Sequence, residues 1–132
     1  MLTKGVDHVG LTVSDLSASR KFFVECLNWS SKGEKPDYPA AFVSDGYCLL
    51  TLWQTKCDGK PVEFNRHANI GLHHLALKMP DEESLNVLFG KVKDWEGVKV
   101  EFPPEFSGKG PKIHFMIHEP GGNRIEFAWD PR

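Results

Sequence analysis

Hydrophobic and polar residues alternate with the period of a β-strand in two stretches, residues 5–13 and 71–79. A helix N-cap candidate follows each stretch, Ser14 or Asp15 in the first case and Asp81 in the second. Apolar residues at helical spacing come next. These stripes consist of Phe22, Phe23, Cys26 and Leu27 in the first half, and of Leu85, Leu88, Phe89 and Val92 in the second. The pattern therefore predicts a strand and then a helix, twice.

Further short strands are predicted after each helix. Asp45-Gly46 and Pro120-Gly121-Gly122-Asn123 have the composition of tight hairpin turns. The predicted strands are residues 40–44, 47–53 and 98–102, and the two arms of the last hairpin within 112–129. The predicted loops are residues 30–39, 54–69 and 103–111.

The two halves form an internal repeat of a strand, a helix and about three strands. Asp7-His8-Val9-Gly10-Leu11 corresponds to His73-His74-Leu75-Ala76-Leu77, 66 positions later. Two units indicate a pseudo-symmetric pair of modules and not a solenoid. We expect one domain over residues 1–132, with a first module of about 1–66 and a second of about 67–132.

Composition and charge exclude several classes of protein. Apolar residues make up 40% of the chain, charged residues 26%, and the net charge is -2, so a folded core is expected and a nucleic-acid partner is not. The three cysteines have no metal-binding spacing and fit thiols in a reducing compartment. No signal peptide or long apolar run is recognised, which predicts a cytoplasmic protein without a membrane partner.

Three polar residues are placed where they could all bind one ion. His8, His74 and Glu126 each occupy the less apolar face of a predicted strand. If the helices cover the apolar faces, the opposite faces turn inward and form a concave surface. Two imidazoles and one carboxylate are a ligand set for Fe(II), Mn(II), Zn(II) or Ni(II) with open positions. The alternation puts His73 on the helix-packed face, which predicts a structural role for it; for Glu126, a solvated strand face is also compatible with the pattern.

The sequence also resembles a known superfamily. His8 in DHVGLTVSDL, His74 in GLHHLALKMPD and Glu126 in HEPGGNRIEF resemble the vicinal-oxygen-chelate proteins. That superfamily includes glyoxalase I, methylmalonyl-CoA epimerase, extradiol dioxygenases, fosfomycin-resistance thiol transferases and bleomycin-binding proteins. The resemblance implies an α+β fold of two βαβββ modules, with sheets that curl around one divalent metal ion held by those three residues. It also implies a homodimer.

This chain departs from the patterns of the individual subfamilies. Glyoxalase I has a fourth ligand, a glutamate, where this chain has Leu50 or Thr51, depending on how the hairpins align. Extradiol dioxygenases and fosfomycin transferases usually have a tyrosine where this chain has Met116, and the fosfomycin enzymes have a threonine in place of Gly10. No subfamily signature is therefore complete.

The resemblance implies a metal-dependent enzyme whose small-molecule substrate chelates the ion through adjacent oxygens. We expect ring-cleavage dioxygenase chemistry ahead of glyoxalase-like lyase or epimerase chemistry. His114 and His118 are the candidate catalytic acid or base, although His118 also fits a solvated edge residue. Thr12, Lys78 and Met116 are the candidate substrate-pocket residues, although Lys78 also fits a side chain that extends into water. A non-catalytic drug-binding protein, or a relic that has lost catalysis, would also fit the incomplete signatures.

Overall fold

The computed structural model describes residues Met1 to Arg132, which divide into two units, Met1–Pro61 and Val62–Arg132. The first unit contains β1 (Val9–Val13), α1 (Leu16–Lys21), a π-helical turn (Phe22–Cys26), β2 (Ser30–Lys35), β3 (Ala40–Ser44) and β4 (Leu49–Gln54). The second contains β5 (Leu75–Lys78), α2 (Glu82–Val92), β6 (Lys99–Phe106), β7 (Ile113–His118) and β8 (Arg124–Trp129).

The first unit is a four-stranded mixed sheet in the order β1-β4-β3-β2. β1 runs parallel to β4, and the remaining neighbours are antiparallel. Asp15 caps α1 by accepting a hydrogen bond from the Ala18 N–H at 3.1 Å, and Asn28, with φ of 59°, ends the helical segment. Phe22, Phe23, Val43, Leu50 and Leu52 are fully buried in this unit. They come from the apolar stripe of the helix and from β3 and β4.

The second unit repeats this arrangement. Its sheet has the order β5-β8-β7-β6, with β5 parallel to β8. Asp81 caps α2 by accepting from the Ser84 N–H at 2.7 Å. The Phe115 and Phe127 rings stack with centroids 4.9 Å apart, and the helix residue Phe89 packs edge-on against Phe115. The observed α+β fold of two βαβββ modules confirms the predicted fold class.

Two segments predicted to be loops are edge strands. The residues of β2, predicted as loop, are all exposed and pair with β3 through a register shift between Ser31 and Gly33. β6 continues to Phe106, through Pro103 and Pro104, with two register shifts against β7. An edge strand with little burial has no hydrophobic alternation to reveal it, and prolines are tolerated there because the outer N–H groups need no partner in the sheet.

Candidate functional site

Glu126 lies at the centre of the second unit. It pairs with Ala76 of the parallel neighbour β5 and with Met116 of the antiparallel neighbour β7. Its side chain is only 8% exposed. A carboxylate removed from water in this way requires polar partners.

Two histidines supply those partners. His114 Nδ1, on β7, donates to Glu126 Oε1 at 2.7 Å, and His74 Nε2 lies 3.0 Å from Glu126 Oε2. His74 directly precedes β5, whereas Phe102 of β6 packs on the His114 ring with centroids 4.8 Å apart. Three segments of the second unit therefore bring His74, His114 and Glu126 together.

His8 lies in the first unit, at the residue directly before β1. Its side chain is half exposed, and its Nδ1 is 2.7 Å from Asp7 Oδ2. The register supports the repeat, because Val9 pairs with Leu50 in the first sheet as Leu75 pairs with Ile125 in the second. His8 and His74 thus occupy equivalent positions in their units.

The register also decides which residue of the first unit corresponds to Glu126. Gly10 pairs with Thr51 as Ala76 pairs with Glu126, so the counterpart is Thr51 and not Leu50. Thr51 is buried, and its hydroxyl accepts a hydrogen bond from Trp53 Nε1 at 2.8 Å. A Cβ added at Gly10 would lie 3.2 Å from that hydroxyl. At this position the first unit therefore has an uncharged, hydrogen-bonded side chain in a closely packed environment.

The predicted pocket residues lie in different surroundings. Thr12 in β1 and Lys78 in β5 are exposed. Met116 in β7 is buried directly opposite Glu126. Met116 is therefore the one of the three that adjoins the His74–Glu126 pair.

A second polar cluster surrounds Glu101 of β6. Arg124 is 7% exposed and donates two hydrogen bonds to the Glu101 carboxylate, from Nε at 2.8 Å and from Nη2 at 2.6 Å. Arg66 Nη1 and His118 Nε2 approach the same carboxylate at 3.4 Å and 3.2 Å. Chiefly because Arg124 donates to it, the pKa of Glu101 is lowered to about 2. His118 is thus held by Glu101, and not by Glu126 as His114 is.

His73 connects the two clusters. It is exposed, with Nδ1 2.8 Å from His74 Nδ1 and 3.2 Å from Arg124 Nη1. Loss of water around the ring and then the positive charge of Arg124 lower its pKa. The prediction that His73 is packed beneath the helix is wrong, because β5 begins only at Leu75 and the strand alternation does not extend back to residue 73.

The sequence analysis does not predict the roles of two residues of the polar clusters or of one residue in the β7–β8 turn. Arg124 and Glu101 are 23 positions apart, and nothing in either strand's pattern pairs them. Arg124 does share the alternating face of Glu126, which is a signal that points to it. Glu119 is buried and closes the β7–β8 turn by accepting from the Gly121 and Asn123 N–H groups, at 2.5 Å and 3.3 Å.

The donor atoms of His74 and Glu126 fit two ligands of one divalent cation. Within each unit, no three His, Cys, Asp or Glu side chains are arranged to hold a metal ion. Ligands that lie about 2.1 Å from an ion at a right angle are themselves about 3.0 Å apart. The 3.0 Å between His74 Nε2 and Glu126 Oε2 matches that separation.

Comparison with known proteins identifies the family. A model of the Glyoxalase/Bleomycin resistance protein/Dioxygenase superfamily matches residues 5–127. The chain belongs to this superfamily. The resemblance found in the sequence is therefore confirmed over nearly the whole chain. A search of curated proteins gave no significant match to this chain.

Solved structures of the same superfamily share the fold. A glyoxylase/bleomycin resistance protein/dioxygenase domain from Frankia sp. EAN1pec has a TM-score of 0.80 at 23% identity, covering 97% of this chain and 98% of that one. A possible glyoxalase from Bacillus cereus has a TM-score of 0.70 at 25% identity, covering 95% and 98%. A lactoylglutathione lyase from Agrobacterium tumefaciens has a TM-score of 0.71 at 20% identity, covering 96% and 94%. Neither the length nor the apolar character that a membrane-spanning helix requires is found in the helices of this structure.

Proposed function

We propose that this protein is a metal-dependent enzyme that acts on a small molecule with two adjacent oxygen atoms. The proposed ligands of the divalent cation are His8, His74 and Glu126. The observation that carries the proposal is the buried Glu126 carboxylate with His74 Nε2 3.0 Å away, a pair with the chemistry and separation of two metal ligands. His8 is included because it is the repeat equivalent of His74 and matches the resemblance.

A bound Fe(II), Mn(II), Zn(II) or Ni(II) ion would act as a Lewis acid toward the substrate oxygens. His114 holds Oε1 of Glu126, which leaves Oε2 directed at His74 and available as a ligand. We assign His114 the part of acid or base, because its ring is only 16% exposed and contacts a ligand carboxylate directly. His118 stays a second candidate, with Nε2 donating to Glu101.

Ring-cleavage dioxygenase chemistry is the reaction that we propose first. Thr51 occupies the position that is a glutamate, the fourth ligand, in glyoxalase I, and its hydroxyl is bonded to Trp53, which supports a proposed donor set of three residues. Glyoxalase-like lyase or epimerase chemistry is the second candidate. It is favoured by the His114–Glu126 contact, which offers a base for removing a proton next to a carbonyl group.

Metal binding and turnover test the proposal. Titration calorimetry with Zn(II), Mn(II) and Ni(II), and anaerobic titration with Fe(II), should give one ion per chain, and His8→Gln and His74→Gln should each weaken that binding. Oxygen uptake with catechols would support the dioxygenase, whereas isomerisation of a hemithioacetal or proton exchange next to a carbonyl would support the lyase or epimerase. Absence of binding by all four ions would overturn the proposal in favour of a non-catalytic binding protein.

Four further expectations stay predictions. Thr12, Lys78 and Met116 are proposed to line the substrate pocket, and their replacement should raise KM more than it lowers kcat. A homodimer is proposed and is testable by light scattering. A cytoplasmic location and a single domain over residues 1–132 are predicted by the sequence alone.

A further inference from the structure

His73 Nδ1 lies between two nitrogen atoms of neighbouring side chains. Arg124 Nη1 lies 3.2 Å from it, and His74 Nδ1 lies 2.8 Å from it. A guanidinium nitrogen only donates hydrogen bonds and never accepts them. His73 Nδ1 must therefore accept, so the proton of the neutral His73 ring is on Nε2. The single lone pair of Nδ1 is then shared between its two neighbours, with His74 the nearer.

This assignment fixes the proton on the neighbouring ring. Because His73 Nδ1 has no proton, the hydrogen bond between the two histidines requires the proton to be on His74 Nδ1. The neutral His74 ring then has an unprotonated Nε2, the atom 3.0 Å from Glu126 Oε2. An unprotonated imidazole nitrogen is the form that binds a metal ion.

Arg124 is held firmly enough to enforce this direction. Its Nε and Nη2 atoms form the two-pronged contact with Glu101, and its side chain is only 7% exposed. Glu101 is held in turn by Arg66 and His118. The third guanidinium nitrogen, Nη1, therefore has a fixed direction toward His73.

In the first unit the residue before the histidine also accepts from its Nδ1, but the acceptor is a carboxylate. Asp7, the repeat equivalent of His73, places its Oδ2 2.7 Å from Nδ1 of His8. A carboxylate can only accept from that nitrogen, which again leaves Nε2 of the neutral ring unprotonated. Both repeats thus use the residue before the histidine to hold its Nδ1 proton.

We propose that Glu101, Arg124 and His73 form a positioning relay that keeps the His74 proton on Nδ1 and leaves Nε2 for a cation. Only the identity of the ligand as a metal ion rests on the proposed function. The placement of the proton rests on the contacts of Arg124, His73 and His74 alone.

Nuclear magnetic resonance of the metal-free protein tests the relay directly. In protein labelled with ¹⁵N-histidine, at a pH where the ring is neutral, long-range proton–nitrogen correlations should show His74 protonated at Nδ1. In His73→Phe the acceptor is gone, and Glu126 should draw the proton to Nε2. His67→Phe removes another exposed histidine of the same unit and should leave the His74 form unchanged. His74 protonated at Nε2 in the unsubstituted protein, or an unchanged form in His73→Phe, would overturn the proposal.

Zn(II) affinity gives an independent measurement. His73→Phe should weaken binding about 10- to 100-fold, the usual effect of removing a group that orients a metal ligand. His73→Gln offers an amide oxygen as acceptor and should recover part of that loss, which a merely structural role would not do. If His73→Phe is unfolded, the tautomer in His73→Gln decides: Nδ1 protonation supports the relay, and Nε2 protonation overturns it. If the proton is on Nδ1 but no metal binds, the relay stands and the proposed function fails.

Discussion

The two units have the same backbone topology but different side chains at corresponding positions. In the first, Thr51 is uncharged and is closed off by Trp53 and Gly10. In the second, the counterpart of Thr51 is Glu126, which is buried between two histidines. The register makes Ala40 the counterpart of His114 and Phe42 the counterpart of Met116. One fold thus supports an uncharged sheet centre in one unit and an ionisable one in the second, by changes at a few central positions.

The largest expected effect comes from removing the charge that distinguishes the second unit. Glu126→Gln should weaken Zn(II) binding at least about 1,000-fold, equivalent to about 4 kcal/mol, because a neutral amide replaces a charged ligand. The matched change in the first unit, Thr51→Val, should leave the affinity within about twofold, because it removes no charge and the Thr51 hydroxyl is already bonded to Trp53 Nε1. Titration calorimetry measures both, and equal losses would contradict the comparison.

The reverse change should make the first unit resemble the second. Thr51→Glu puts a carboxylate into a buried place that offers the Trp53 N–H but has Ala40 where the second unit has His114. We therefore expect the free energy of unfolding to fall by about 2–4 kcal/mol at pH 7. Urea unfolding measures this loss. The loss should shrink at pH 4, where the carboxyl is more readily neutral. A variant as stable as the original at pH 7 would show that this place tolerates charge.

Each unit contains an ion pair, and breaking these pairs should have smaller effects on stability. Glu101→Gln should lower the free energy of unfolding by about 2 kcal/mol at pH 7, because it breaks the partly buried contact with Arg124. In the first unit, Arg20 and Glu34 form an exposed pair at 2.8 Å, and Glu34→Gln should cost less than about 1 kcal/mol.

The effect of Glu101→Gln should depend on pH. The folded-state pKa of Glu101, about 2, lies below its ordinary value of 4.5. The stabilisation is therefore fully present above pH 4.5 and is lost as the pH falls toward 2. Urea unfolding measures the free energy of unfolding of the original protein and of Glu101→Gln, and the difference between the two values should become smaller over that range. A constant difference would show that the ion pair is not its source.

The smallest expected effect concerns packing in the first unit. Gly10→Ala brings a methyl group to 3.2 Å from Thr51 Oγ1 and should destabilise the protein by about 1 kcal/mol. In a Thr51→Ala background the same change should cost less, since the oxygen atom is gone. Thermal unfolding of the four proteins in this double-mutant cycle measures the coupling. Identical costs in both backgrounds would show that the contact is not responsible.

The sequence predicts those strands and helices in which burial of one face gives the apolar residues a regular spacing. The repeat, both N-caps and the place of Glu126 within a strand hairpin follow from alternation and turn composition. β2 and the far end of β6 escape prediction because strands with little burial show no alternation. The choice of Thr51 over Leu50 requires the strand register. The contact of His73 with Arg124 joins side chains 51 positions apart, a relation that no local pattern contains.

β2 and β6, each the last strand at one edge of its sheet, have a consequence for how copies of this chain can meet. Pro103 and Pro104 lack the N–H groups that a further strand would need, and the register shifts near Gly33 and Phe102 interrupt a straight edge. Charged lysine side chains also lie along β2. The β2 and β6 edges are therefore poor templates for backbone pairing between molecules, and growth of a fibril from these two edges is disfavoured.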